Sequence, residues 1–305
     1  MQQPKMNLGE WGLLMTLSVL WGGSFFFIKL ALKELPPLTI VFSRVSLAAI
    51  ALTILVSISG QSLPCSIKRW QEFLIMGALN NLIPFSLIVW GQTQIASSLA
   101  AILNATTPIF TVLIAHFLTQ DERLSSKRLA GTVLGLCGVV VLIRPQAISG
   151  LNFTNLGQLA ILGAACSYGL AGIYGKRFKS LPSSVAATGM LIGTSVMMFP
   201  LVLVLDQPWS LHAGFITGLS ILGLSLLSTA LAYLIYFRLL ATVGATNLLL
   251  VTFLIPISAL VLGVLVLKEQ VQSIEVVGMG LIFAGLAAID GRLLSRMSLT
   301  RSVQR

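Results

Sequence analysis

The chain alternates apolar runs of about twenty residues with short breaks that hold its charges, prolines and glycines. A helix needs about 20 residues to cross roughly 30 Å of hydrocarbon, so each run is long enough to span a bilayer. In the first half the runs are Trp11–Ala31, Leu38–Ile58, Trp70–Trp90, Ala96–Leu118 and Lys127–Ile143. In the second half they are Asn155–Gly175, Ser184–Leu205, Gly214–Phe237, Ala245–Leu267 and Ser273–Leu293. Strands of a membrane barrel alternate in polarity over about 10 residues, whereas these runs are unbroken and far longer. The pattern predicts an all-α integral membrane protein with ten transmembrane helices.

Composition agrees. Of 305 residues, 56% are hydrophobic and 9% charged, and the mean hydropathy is +0.96. A water-exposed surface takes about 25% charged residues, so the expected surroundings are a lipid bilayer. The net charge of +10 does not point to nucleic acid, because the basic residues stand singly or in twos and threes between apolar runs. Fourteen of the nineteen Lys and Arg fall in the termini and in the loops after helices two, four, six and eight. That bias places both termini in the cytoplasm of a multi-pass protein of the cell membrane. Residues 1–10 carry one Lys and no small-residue cleavage site, so the first run is expected to remain as an anchor. Cys65, Cys137 and Cys166 form no CxxC and are expected as small core residues, not as disulfides or metal ligands.

One unit occurs twice, at a spacing of about 147 residues. Trp21-Gly22 and Lys29 recur as Tyr168-Gly169 and Lys176. Asp121-Glu122-Arg123-Leu124, followed by Gly131 and Gly138, recurs as Lys268-Glu269-Gln270-Val271, followed by Gly278 and Gly285. Pro108 matches Pro256 one step out of register. Five helices per unit is an odd number, so the second copy enters the membrane from the opposite side. The expected division is a cytoplasmic N-terminus at 1–10, a first five-helix repeat at 11–144, a second, inverted repeat at 152–293 and a basic cytoplasmic tail at 294–305. Inverted halves can exchange conformations around a site near the midplane; a duplication kept for packing alone is the alternative.

These residues resemble the EamA-type family of the drug/metabolite transporter superfamily. The likeness is carried by Trp21-Gly22 through Lys29, Arg44 early in helix two, and Thr93 through Pro108 leading into Glu122-Arg123-Leu124 and Gly131. The copy around Pro256, Glu269 and Gly278 completes it, over residues 11–292. Gln270-Val271 departs from the pattern, where a Leu two residues after the Glu is expected. The resemblance implies a secondary transporter of small metabolites such as amino acids, nucleobases or sugars, acting as importer or exporter.

Polar groups at membrane depth are costly unless paired or wetted, so each is a candidate for lining a substrate cavity. Asn80 and Asn81 lie at the middle of helix three, one turn before Pro84; an interhelical hydrogen bond is the other role open to them. Asn104, Thr106, Thr107 and Pro108 lie at the middle of helix four, where Pro108 removes a backbone donor and a Thr hydroxyl can satisfy the freed carbonyl. Pro84, Pro108 and Pro256 are thus candidates for gating or for plain structural kinks. Trp21 and Tyr168 stand at equivalent mid-depth positions, suited to stacking on a substrate or, on balance, to core packing. Ser225, Thr229, Tyr233 and Tyr236 share one face of helix eight at spacings of three and four, a wet wall unless the hydroxyls bond back to their own helix. Arg44, two turns inside helix two, either contacts an anion or snorkels to the outer surface, and its long stem favours snorkelling.

Every Asp and Glu falls near a predicted helix end, so no midplane carboxylate is available to couple transport to protons. The absence of a buried charge favours a neutral or zwitterionic cargo. No phosphate-binding loop is present, and no metal or cofactor is expected. An intramembrane hydrolase needs a nucleophile with a base, but HExxH and GxSxG are missing and the two His are far apart. A channel is the other alternative, although pores usually form from rings of subunits. The expected partners are a small-molecule substrate and lipid, with the protein a monomer or homodimer.

Overall fold

The computed structural model describes residues 6–118, 126–143, 153–178, 180–248 and 250–290, and these are helical with no strand among them. Along the chain come α1 (Leu8–Ala31), α2 (Pro37–Ile58), α3 (Ile67–Gln94), α4 (Ser97–Leu118), α5 (Ser126–Ile143) and α6 (Phe153–Tyr174). They are followed by α7 (Ser183–Leu205), α8 (215–248), α9 (Val251–Leu265) and α10 (Ser273–Asp290). Seven of the helical stretches are long and apolar enough to cross a membrane; Leu129–Val141, Leu254–Leu265 and Ser273–Ala288 are shorter apolar helices. The motif residues Asp121, Glu122 and Arg123, and the tail at 294–305, lie outside the described residues.

Local chemistry sets most helix ends. Asn7 caps α1 through a reciprocal pair with Glu10: the Glu10 amide donates to Asn7 Oδ1 at 2.9 Å, and the Asn7 amide to Glu10 Oε2 at 2.8 Å. Pro37 opens α2, where its fixed φ suits the first turn and its missing N–H costs nothing. The run read as Ala245–Leu267 divides differently: α8 continues to Leu248 and α9 begins at Val251. The sequence entering this region, ATVGATNL, contains no proline to stop α8 earlier.

Two helices widen at matching places. Ala78–Leu82 in α3 and Gly223–Leu231 in α8 are π-helical. In α3 the Ile83 amide reaches back five residues to the Ala78 carbonyl, just ahead of Pro84, whose ring would crowd a normal turn. Helix α4 breaks at Ala105–Thr106, before Pro108. The Thr107 hydroxyl donates to the Asn104 carbonyl at 2.8 Å, the acceptor that Pro108 leaves without its amide. Helix α9 runs through Pro256 without interruption, so the two prolines differ in effect.

The packing repeats between halves. Helix α1 packs along α9 and α8, as α6 packs along α4 and α3; α2 lies on α7, and α5 on α10. A Cβ on Gly22 would collide with Ser258 Oγ of α9, and one on Gly169 would meet Thr111 N of α4 at 3.1 Å. The glycine of each Trp-Gly and Tyr-Gly pair therefore seats one helix against another. The α1–α2 turn lies beside the α7–α8 loop through Thr39 and Asp206, whereas the equivalent α6–α7 turn lies beside the α2–α3 loop through Ser184 and Gln61. Equivalent turns thus sit at opposite ends of the bundle. Cys65 is exposed in a loop and Cys137 faces outward on α5, so only Cys166, partly buried, approaches the core role expected of all three.

Candidate functional site

A seam of polar side chains runs through the interior where the halves meet. Asn81 is fully buried, and its Nδ2 donates to Thr194 Oγ1 on α7 at 3.1 Å. Its Oδ1 accepts from the Tyr233 hydroxyl at 3.2 Å, and Asn80 Nδ2 donates to the same hydroxyl at 3.2 Å and to Met190 Sδ at 3.4 Å. Both Asn residues project from the widened turn of α3 and bind across to α7 and α8, which gives them interhelical partners at a depth where water is scarce.

Arg44 is the second part of the seam. It does not snorkel: it is 5% exposed, its Nε donates to Thr229 Oγ1 at 2.8 Å, and its guanidinium lies 3.7 Å from the Phe85 ring centroid. The depth of Arg44 in α2 gave the stem a path outward, but Phe85 of α3 and Thr229 of α8 turn the head inward. The fold therefore does bury a charge, against the reading from sequence, and Tyr168 and Tyr233 are the titratable side chains within its field.

The hydroxyl face of α8 is altered by its π turn. Ser225 bonds back to the Ile221 carbonyl at 2.7 Å, and Thr229 to the Leu224 carbonyl, five residues back, at 2.8 Å. Both are buried, so they bond to their own helix rather than form an open wall. Trp21 stacks tilted against Tyr236 with centroids 5.6 Å apart, while Tyr168 packs on the main core. Asn104 has a buried Oδ1 with no partner among the described residues.

Carboxylates that sequence placed merely near helix ends have a definite task. At one end of the bundle, Glu269 of the α9–α10 loop accepts from the Ser97 amide and hydroxyl, both at 2.8 Å, and from the Ser98 amide at 3.0 Å. Burial works against its charge, yet these bonds outweigh burial and hold the carboxyl below the usual glutamate range. Asp206 accepts from the Thr39 amide at 2.7 Å and hydroxyl at 2.8 Å, and Glu34 accepts from the Gly214 amide at 2.7 Å. Bonds from Thr217 and Gly214 likewise lower the Glu34 carboxyl. Each of the three joins one half to the start of a helix in the other. Lys29 stands beside them, donating to the Gln92 and Ile95 carbonyls at 2.9 and 3.1 Å where α3 ends. Sequence pointed to none of these pairings, because donor and acceptor lie up to 180 residues apart.

These features define an all-helical membrane protein of two like halves with a buried polar seam between them. The model of the EamA-like transporter family matches residues 10–144 and 155–289. The chain belongs to the EamA-like transporter family and is a transporter of small molecules. It is 24% identical to the uncharacterized transporter YoaV of Bacillus subtilis, over 90% of this chain and 94% of the relative. It is 27% identical to a probable amino-acid metabolite efflux pump of Escherichia coli, over 88% of this chain and 90% of that one. A probable terminal-alkyne amino-acid exporter of Streptantibioticus cattleyicolor is 25% identical over 96% of both chains. One solved crystal structure shares the fold at a TM-score of 0.69 and 18% identity, covering 96% of this chain and 99% of its own.

Proposed function

We propose that the protein moves small neutral or zwitterionic metabolites of the amino-acid kind across the cell membrane by alternating access, in the direction of export. In this reading the three shorter apolar helices also cross the bilayer. That gives ten spans in two inverted repeats, residues 11–144 and 152–293, with both termini in the cytoplasm. The observation that carries the proposal is the seam itself: Asn80, Asn81, Arg44, Thr194, Thr229 and Tyr233 come from both halves and meet inside the bundle. A site built equally from two exchangeable halves suits a carrier that exposes it to either side in turn. The carboxylate caps between Glu34, Asp206 and Glu269 and the opposite half act, in this reading, as the closed gate of one end. The names of the efflux pump and the exporter among the relatives support the cargo class and the direction. Among the described residues every Asp and Glu sits near a helix end or in a loop and none is in the seam, which favours exchange or facilitated diffusion over proton coupling.

Proteoliposomes loaded with unlabelled amino acids test this reading. Saturable counterflow of labelled substrate is the expected result. Discrete current steps in a planar bilayer, without counterflow, would replace the carrier by a channel.

A further inference from the structure

We infer that Arg44 is the residue that recognises the cargo, and that the group it recognises is a carboxylate. The inference rests on the carrier reading above. Arg44 carries five N–H donors, and among the described residues only Nε donates, to Thr229. Phe85 covers the guanidinium at 3.7 Å and supports it by a cation–π contact, which screens the charge but accepts no hydrogen bond.

A charge held inside a bilayer calls for a partner of opposite sign, and none of the described carboxylates supplies one. The Glu10 carboxylate accepts from Asn7, Glu34 from Gly214, Glu72 from Arg69, Asp206 from Thr39, Glu269 from Ser97 and Glu275 from Gln272, while the side chain of Asp290, at the last turn of α10, lies outside the described ones. All six lie at or near helix ends, and each already accepts hydrogen bonds there. Among the described residues, then, the cation at the seam has no carboxylate to match it, and we assign that part to the cargo.

The shape of the guanidinium narrows the match. Its planar fork fits a carboxylate through two parallel N–H bonds. One positive charge balances one carboxylate, whereas a phosphate monoester would bring about two negative charges and leave the second uncompensated. Nothing comparable awaits an ammonium group among the described residues: those that act on Arg44 are Thr229, Phe85, Tyr168 and Tyr233, with no acid among them. Recognition accordingly lies in the acid end of an amino acid and does not require its amine. Desamino carboxylates therefore bind at Arg44 as the acid end of a zwitterionic amino acid does, and nucleobases and amines do not.

Thermal unfolding of the full chain in detergent tests this against a panel of simple compounds. The probes are alanine, leucine and phenylalanine, their desamino acids (propanoate, 4-methylpentanoate and 3-phenylpropanoate), the corresponding amines, inorganic phosphate and uracil. Amino acids and desamino acids of the fitting size are expected to raise Tm, and amines, phosphate and uracil to leave it unchanged. In Arg44→Gln the concentration for half-maximal shift rises by at least ~tenfold, and Arg44→Lys, which keeps the charge and loses the fork, falls between. The wild-type comparison stands even where a variant folds poorly. Stabilisation by amines or uracil equal to that by carboxylates overturns the inference, as does an Arg44→Gln response equal to wild type, or no response to any carboxylate. Counterflow separates the two readings. Movement of uracil without any carboxylate requirement would sink the Arg44 assignment and leave the carrier standing. Absence of counterflow for compounds that bind through Arg44 would sink the carrier instead.

Discussion

At Glu269 one carboxylate accepts three hydrogen bonds at the start of a helix from the other half. Replacing it with Gln removes the charge that faces the helix dipole and weakens the cap, at an expected cost of about 1 kcal/mol in unfolding free energy. The pH dependence follows from the direction of its shift. A carboxyl held below its unfolded value contributes fully above the ordinary glutamate range, and that contribution is lost as pH falls through the depressed folded value. Melting curves across acid pH should therefore show a shallower acid decline for Glu269→Gln than for wild type; parallel curves would remove the cap from the account. Tyr233→Phe takes away the hydroxyl that serves both Asn80 and Asn81, with an expected loss of about 1.2 kcal/mol, two bonds at the membrane average of roughly 0.6 kcal/mol each, read by the same melts. Residue types and depth were legible here, since an Asn in the middle of an apolar run must find a partner. Partners were not legible. The position of Arg44 along α2 says nothing of Phe85 and Thr229, which arrive from other helices and decide where its head points.

The helices themselves were the most readable level, because hydrocarbon thickness fixes run length and prolines and charges mark the gaps. The π turns escaped notice: the hydroxyl residues of α8 keep spacings of three and four, which read as one face of an ordinary α-helix, and the adjacent Asn80 and Asn81 of α3 set no period. The end of α8 was misplaced because Gly244, which reads as a helix end, lies inside α8, and no proline enforces a stop there. Helix α4 shows a proline handled locally, with Thr107 Oγ1 satisfying the Asn104 carbonyl. Thr107→Val should cost about 0.5–1.5 kcal/mol by leaving that acceptor unpaired, and Thr107→Ser, which retains the hydroxyl, should melt close to wild type.

For the whole molecule the duplication was legible from a few matched motifs, since two copies of a packing unit need the same small residues in the same places. Its inverted mounting is tested by single cysteines at positions 121 and 268, equivalent sites of the two copies, in a background with Cys65, Cys137 and Cys166 replaced. A membrane-impermeant thiol reagent should reach one position from each face of the membrane; labelling of both from the same face would refute the inversion. Helices α5 and α10 make one contact twice: a Cβ on Gly138 would lie 2.8 Å from the Gly278 carbonyl oxygen, and one on Gly285 2.6 Å from that of Gly131. Gly285→Leu should therefore destabilise the fold by about 1–3 kcal/mol through overpacking, seen as a lower Tm. The clasp does not depend on the peptide linkage between the halves. Each half carries the matching part of a lock whose other part is its own counterpart turned over, so a gene severed between codons 147 and 148 should yield two polypeptides that find each other in the bilayer and co-purify.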